Sequence, residues 1–492
     1  MGWASWNCFR TNISEARLKE QFDRLVSTGL AACGYVYANT DDGFFGGRAA
    51  DGTLLFHKER FPNGIKVLAD YAHSLGLKAG IYSEGGKATC GYYYDNEGAN
   101  GESAGLFGHE ERDLTMFLEE CGFDFIKVDW CGALREGVDE KEEYVKIGRI
   151  VDEIRRRTGR VIVFNICRKF FPGEWALEIA DSWRTAADIA PNFASVIRQV
   201  DYIKPLRKYC APGHVNDLDM MQIGNGLTHE EEKTHFAMWC MMSTPLMVGC
   251  DLTKISDETL SVLKNRELIA LDQDPACLQA YVVKEYRSAD GSLAGEVWVK
   301  DLGEADSAEK AIALLNRSDA PLEMTLGLTL AGLEGDVLSL RDLWAHEDLT
   351  PSRTISFTVA PHGTVMLRAK SEKAGRAVDV NAAAEYVEPA PILPISAEKA
   401  RELLQAGALL LDARQREAFA AGHLPGALST PYTEIYAHIT ETVPTKDTPC
   451  VVYCAKGLRS AQVKYTMDHM GYTAVYTLGG VDETLFTEKG SK

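Results

Sequence analysis

Residues 123–131 read FDFIKVDWC. Phe123, Phe125, Ile126 and Val128 have the bulk of a buried strand, yet Lys127 and Asp129 place two charges near its end. An unpaired buried charge costs several kcal/mol, so the pair belongs where the strand leaves the core. Neighbouring runs repeat the pattern. GYVYANTDD (34–42), LKAGIYS (77–83), VIVFNIC (161–167), SWRTAADI (182–189) and TPLMVGCDL (244–252) are apolar runs with polar or charged residues towards their ends. With MGWASW at the start and HVNDLDM (214–220), the count is about eight strands. Between them lie helical patterns. In EEYVKIGRIVDEIRRRTG (142–159), Tyr144, Ile147, Ile150, Val151 and Ile154 share one helical face, and Gly159 closes it. Strand–helix alternation of this length predicts a parallel sheet with crossover helices, here a (β/α)8 TIM barrel over residues 1–277.

After the barrel the texture changes. GEVWVK, AIALLNRS and TISFTVA alternate between turns, which predicts an antiparallel β-sandwich domain over 278–369. Residues 370–393 are rich in Ala, Glu and Pro and read as a linker. A small α/β domain is expected over 394–488.

Composition excludes several classes. The chain has 492 residues with 52 basic and 71 acidic side chains, a formal net charge of −19, so a general nucleic-acid face is not expected. No apolar run reaches the roughly 18 residues of a membrane span. The 12 cysteines show no CxxC or Cys/His zinc pattern. Most are expected as reduced core thiols, among them Cys33, Cys121, Cys240 and Cys250. No secretory signal opens the chain, which predicts a cytoplasmic protein unless an upstream segment is missing.

The chemistry gathers at the strand ends: Trp6, Asp41, Asp42, Tyr82, Lys127, Asp129, Asn165, Arg184, Asp188, Asp217 and Asp219. Active sites of such barrels occupy that face. A single strand-end Asp reads best as a helix cap, but this many together read better as a site. Glycoside hydrolysis needs two carboxylates flanking the scissile bond. Lys127, two residues before Asp129 and so on the same strand face, favours the ionised carboxylate of a nucleophile. Asp188, following Arg184, is the natural second carboxylate.

MGWASW, YANTDDG, GIYSEGGKATC, FIKVDWC, WRTAADI, NDLDMMQIGNG and NRELIALDQDP resemble, in order, the motifs of the family 27 glycoside hydrolases, the α-galactosidase family. The resemblance covers about residues 1–369. It implies retention through a covalent glycosyl-aspartate, with Asp129 as nucleophile and Asp188 as acid/base. It places Trp6, Asp41, Asp42, Tyr82, Lys127, Arg184 and Asp219 around the sugar, with no metal and no cofactor. It also pairs Cys90 with Cys131, a disulfide in exported relatives. The chain departs from the family at Cys167-Arg168-Lys169, where many members have Cys-Glu-Trp, at Leu218 within NDLDM, and at Phe44, where Trp is common. Arg168 then stands where a 2-hydroxyl contact is expected, unless it turns away to Glu174 or Asp181. The expected substrate is an oligosaccharide or glycoconjugate with terminal α-galactose. The alternatives are a β-L-arabinopyranoside, an α-N-acetylgalactosaminide or an isomaltose-type glucan.

VVYCAKGLRS (451–460) is an apolar strand, a cysteine, a short glycine-containing loop and the start of a helix. Backbone N–H groups in such a loop favour an anion. With LLDARQREAFAAGHLPGA (410–427) it resembles a rhodanese domain, which implies Cys454 as a persulfide carrier served by a sulfur donor and acceptor. The other readings are an inactive rhodanese fold used for docking, and a sulfurtransferase whose barrel only binds sugar.

Overall fold

A computed structural model of the chain describes residues 1–388, 392–432 and 434–481. Two compact units divide at Tyr386–Val387.

The first unit opens with eight parallel strands: β1 (Gly2–Ala4), β2 (Tyr37–Thr40), β3 (Lys78–Glu84), β4 (Phe125–Asp129), β5 (Val163–Cys167), β6 (Ser182–Arg184), β7 (Val215–Asp217) and β8 (Met247–Val248). They pair in the order β8-β1-β2-β3-β4-β5-β6-β7. A parallel bridge from Met221 to Val248 closes the ring. The opening strand shows why charge is tolerated. Successive side chains alternate between faces. Ile126 and Val128 are fully buried and join one core with Ile147, Val151 and Ile154 of the helix Glu140–Thr158. Lys127 lies on the other face and lines a cavity inside the barrel. That helix forms where its pattern predicts. Asp139 caps it, acidic residues fill its first turn and arginines its last, and Gly159 ends it at φ 67°.

The β domain is a six-stranded antiparallel sheet facing a two-stranded one, Leu322–Gly327 with Thr354–Val359. Its strands also obey period two. Val297, Val299, Ile312 and Leu314 fill the space between the sheets. Trp298, Ala311, Ala313 and Leu315 instead join the barrel's core. Shared burial of this kind, and the ion network of Asp201, Lys204 and Arg317 around the fully buried Glu296, make barrel and β domain one compact unit. The linker expected from residue 370 is corrected here. A strand runs from Thr364 to Ala374, and the Val380 N–H donates to the Val282 carbonyl, so this backbone is still paired with the β domain. Residues 389–391 of that linker lie outside the described residues.

The second unit, described to Val481, is a four-stranded parallel sheet in the order Leu428–Ser429, Leu409–Asp412, Cys450–Cys454, Val475–Gly480. Residues 482–488 of the expected domain lie outside the described residues. Cys454 ends the central strand with its sulfur 3.7 Å from Ser460 Oγ. Gly457 holds φ 82° before the helix Leu458–His469, a backbone conformation that suits glycine. Cys450 is buried inside the strand.

No helix among the described residues is long and apolar enough to cross a membrane. Cys121, Cys240 and Cys250 are buried free thiols, whereas Cys33 is half-buried.

Candidate active site

The carboxyl ends of the strands bring the expected residues to one mouth. Beneath it a cavity enclosing about 470 Å³, open end included, is lined by Asp41, Tyr82, Lys127, Asn165, Arg184 and Asp219 among others.

Lys127 is the hub of one side. Its Nζ lies 2.7 Å from Asp41 and 3.8 Å from Asp129. Burial opposes its charge, but Asp41 and Asp129 outweigh it and hold the ammonium above its ordinary pKa. Asp129 also accepts the Trp130 N–H at 3.0 Å. Burial, opposed by Lys127 and reinforced by Asp188 and Asp41, pushes its carboxyl up to about 6. Asp42 sits below, accepting the N–H groups of Gly91 at 2.6 Å and Gly43 at 2.7 Å. Burial raises it to about 7. The Tyr82 hydroxyl accepts the Cys90 N–H at 3.2 Å.

Arg184 is the hub of the other side. Its guanidinium reaches Asp219 at 2.7 Å and Asp188 at 3.3 Å, and donates to the Ala186 carbonyl. Asp219 adopts φ 82°, unusual for a non-glycine residue, and accepts the N–H groups of Ile189 and Met220. The Asp188 side chain is 60% exposed at the mouth. What burial it has opposes ionisation, but Arg184, Lys169 and Lys127 outweigh this and hold its carboxyl below the ordinary range. Asn165 ties β5 to its neighbours, donating to Ser182 and Asp217 at 2.8 Å each. Trp6 opens the short helix after β1, with the Arg10 guanidinium 4.8 Å from its ring centre.

Arg168 places its Nε 3.1 Å from Glu140, and its Nη1 donates to the Phe171 carbonyl. The partners differ from those expected: Glu174 accepts from Tyr209, and Asp181 pairs with Arg155. Phe44 is fully buried among Phe45, Phe56, Phe61 and Phe117.

Two features were missed in the sequence. Glu84 ends β3 in register with Asp129 and is fully buried. It accepts N–H groups from Gly86, Cys131 and Ala133, yet burial and then Asp129 push it up to about 8. Its signal was visible as SEGG (83–86), a carboxylate at a strand end like the others. Lys169, which helps hold Asp188 down, carried no such signal.

Cys90 and Cys131 form a disulfide with Cα atoms 5.3 Å apart. Gly132 lets the two loops meet, because a Cβ there would lie 2.1 Å from the Ala88 carbonyl oxygen. Glu84, Asp129 and the two cysteines gather within 4.8 Å, but thiols joined in a disulfide are not thiolate ligands.

The family model described as alpha galactosidase A matches residues 1–274, more than half of the chain. The chain belongs to the α-galactosidase family. The family's C-terminal β-sandwich domain matches residues 294–369, and a rhodanese-like domain matches 396–484. Alpha-galactosidase 3 of Arabidopsis thaliana is 39% identical over 362 residues, 73% of this chain and 78% of the relative. Alpha-galactosidase A of Cellvibrio japonicus is 34% identical over 392 residues, 75% of this chain and 91% of the relative. The crystal structure of alpha-galactosidase I from Mortierella vinacea superposes with a TM-score of 0.67 at 28% identity, covering 76% of this chain and 98% of that one. The expected fold, the glycoside hydrolase class and the rhodanese-like addition to an α-galactosidase are thereby borne out.

Proposed function

We propose that the chain releases terminal α-D-galactose from α-galactosides with retention of configuration. The observation that carries the reading is the opposition of two carboxylates with different surroundings at one mouth: half-buried Asp129 beside Lys127, and exposed Asp188 beside Arg184. Asp129 attacks the anomeric carbon while Asp188 protonates the departing oxygen, leaving a galactosyl ester on Asp129. Water then attacks that carbon, gives its proton to Asp188 and frees Asp129. Asp41, Asp42, Lys127 and Arg184 hold sugar hydroxyls, Tyr82 and Asp219 shape the subsite, and Trp6 stacks on the ring. No step needs a metal or a cofactor. Proton NMR of the first sugar formed should show the α anomer; a β product would rule the mechanism out.

Asp41 and Asp42 are short, which leaves room for the C6 hydroxymethyl of galactose. A β-L-arabinopyranoside lacks that group and forgoes its hydrogen bond to this pair. The kcat/KM for nitrophenyl α-galactoside should exceed that for the arabinopyranoside by roughly 10- to 200-fold. Equal values would show that the pair does not read C6.

The rhodanese-like unit supports a second, separate activity. Cys454 thiolate would take one sulfur atom from thiosulfate and release sulfite, becoming a persulfide. Mass spectrometry after thiosulfate treatment should find the added sulfur on Cys454 and none in Cys454→Ser. Galactosidase activity should be the same in both. An unmodified Cys454 with every common donor would favour a docking role for the unit.

A further inference from the structure

Asp188 stands on a stretch of chain that is neither helix nor strand. β6 ends at Arg184, and the next helix runs from Phe193 to Ile203 with Asn192 as its cap. Backbone outside a sheet or helix has no repeating partners, so its polar groups must be met one at a time. Here four carbonyls in a row are each met by a side chain. Arg184 donates to Ala186 at 3.0 Å, Gln199 to Ala187 at 2.6 Å, Arg198 to Asp188 at 2.8 Å and Gln222 to Ile189 at 3.2 Å. The N–H groups that follow are held in the same way. Ile189 donates to the Asp219 carboxylate and Ala190 to Ser195 Oγ, each at 2.9 Å.

Arg198 and Gln199 are neighbours on the helix Phe193–Ile203, and both are buried. Successive helical side chains point about 100° apart, so the two reach successive carbonyls. The same nitrogen of Arg198 that holds the Asp188 carbonyl lies 3.0 Å from Ser195 Oγ, the oxygen that accepts the Ala190 N–H. One helix thus grips the loop at Ala187, Asp188 and Ala190. The Asp188 carboxyl itself has less to hold it. Its side chain is exposed at the mouth, and its bond to Arg184 is long, at 3.3 Å. The place of such a carboxyl follows from the place of its backbone. Proton transfer to a leaving oxygen needs heavy atoms roughly 2.6–3.2 Å apart, and a misplacement of about 1 Å can cost roughly 100-fold.

We propose that Arg198 and Gln199 are positioning residues for the acid/base: by fixing the carbonyls of Ala187 and Asp188 they hold the Asp188 carboxyl where the departing oxygen needs its proton. The inference rests on the reading of Asp188 as acid/base and deepens it. Neither residue touches the sugar in this role. Both act through the loop, so their removal should matter only for a leaving group that must be protonated.

The test uses the full chain and the variants Gln199→Leu, which keeps the bulk and removes the donor, Arg198→Met, Arg198→Lys and Asp188→Asn. Two substrates are compared: a galactosyl-sucrose trisaccharide, and α-galactosyl fluoride, whose leaving group departs without a proton. The readout is the ratio of kcat/KM for the trisaccharide to that for the fluoride. A merely structural role lowers the amount of folded enzyme, which cancels in the ratio. The ratio should fall roughly 10- to 100-fold in Gln199→Leu and in Arg198→Met. In Arg198→Lys, which keeps a cationic donor, it should stay closer to wild type than in Arg198→Met. A ratio that falls in Asp188→Asn but holds in both Gln199→Leu and Arg198→Met would overturn the positioning role alone. A ratio that holds in Asp188→Asn as well would overturn the acid/base reading and the positioning role with it.

Discussion

Asp129→Asn is expected to lower kcat/KM on an α-galactoside by about 10⁴-fold or more, because no other group can form the glycosyl ester. The fold should survive. The amide oxygen can still accept the Trp130 N–H, and Lys127 keeps Asp41 at 2.7 Å. Removing the charge also relieves its repulsion with Glu84 and Asp188. Chemical rescue separates a nucleophile from a structural aspartate. Asp129→Gly with azide should turn over again and give the β-galactosyl azide, formed by one direct displacement. The pH profile adds a second check. A nucleophile must be ionised, so wild-type kcat/KM for α-galactosyl fluoride, whose leaving group needs no proton, should fall as pH drops through about 6, where Asp129 takes up its proton. Retention of more than about a tenth of the activity in Asp129→Asn would remove this residue from the nucleophile's role.

How much of this was readable in advance differs by kind of residue. The barrel was legible because every strand repeats one physical compromise, apolar along its length and polar where it leaves the core. The eight quoted runs contain the barrel's eight strands apart from Glu84, the last residue of β3. Short-range pairs were legible too, since Lys127 and Asp129 share a strand face by period alone. Long-range electrostatics were not. The push on Glu84 comes from burial and from Asp129 on the neighbouring strand, which only the register brings together. The partner of Arg168 was hidden for a related reason: a long side chain at a strand end can reach several neighbours, and Glu140, the first residue of the helix Glu140–Thr158, lies 3.1 Å from its Nε. The linker was misread because Ser371, Lys373 and Ala374 look like linker composition, yet pairing with Leu333–Asp342 carries them as strand.

The second large effect is expected at Asp188. Asp188→Asn should lower kcat/KM by about 10²- to 10⁴-fold on oligosaccharides, whose leaving oxygen needs a proton, and far less on α-galactosyl fluoride. Its environment in the empty cleft looks wrong for an acid. Arg184, Lys169 and Lys127 outweigh burial and hold it below the ordinary range, while burial lifts Asp129 to about 6. The exposure of its side chain resolves the conflict. At 60% exposed it is solvated and ionises readily, but a sugar filling the mouth removes that water. Loss of water raises a carboxyl's pKa, so Asp188 gains its proton in the complex, where it is used. The alkaline limb of kcat, which reports the complex, should therefore lie at higher pH than that of kcat/KM, which reports the free enzyme. Lys169→Gln removes one of the cations that favour the ionised form, so the alkaline limb of kcat should move upwards in that variant. Coincident limbs in the wild type, together with equal losses in Asp188→Asn on both substrates, would assign the proton to another group.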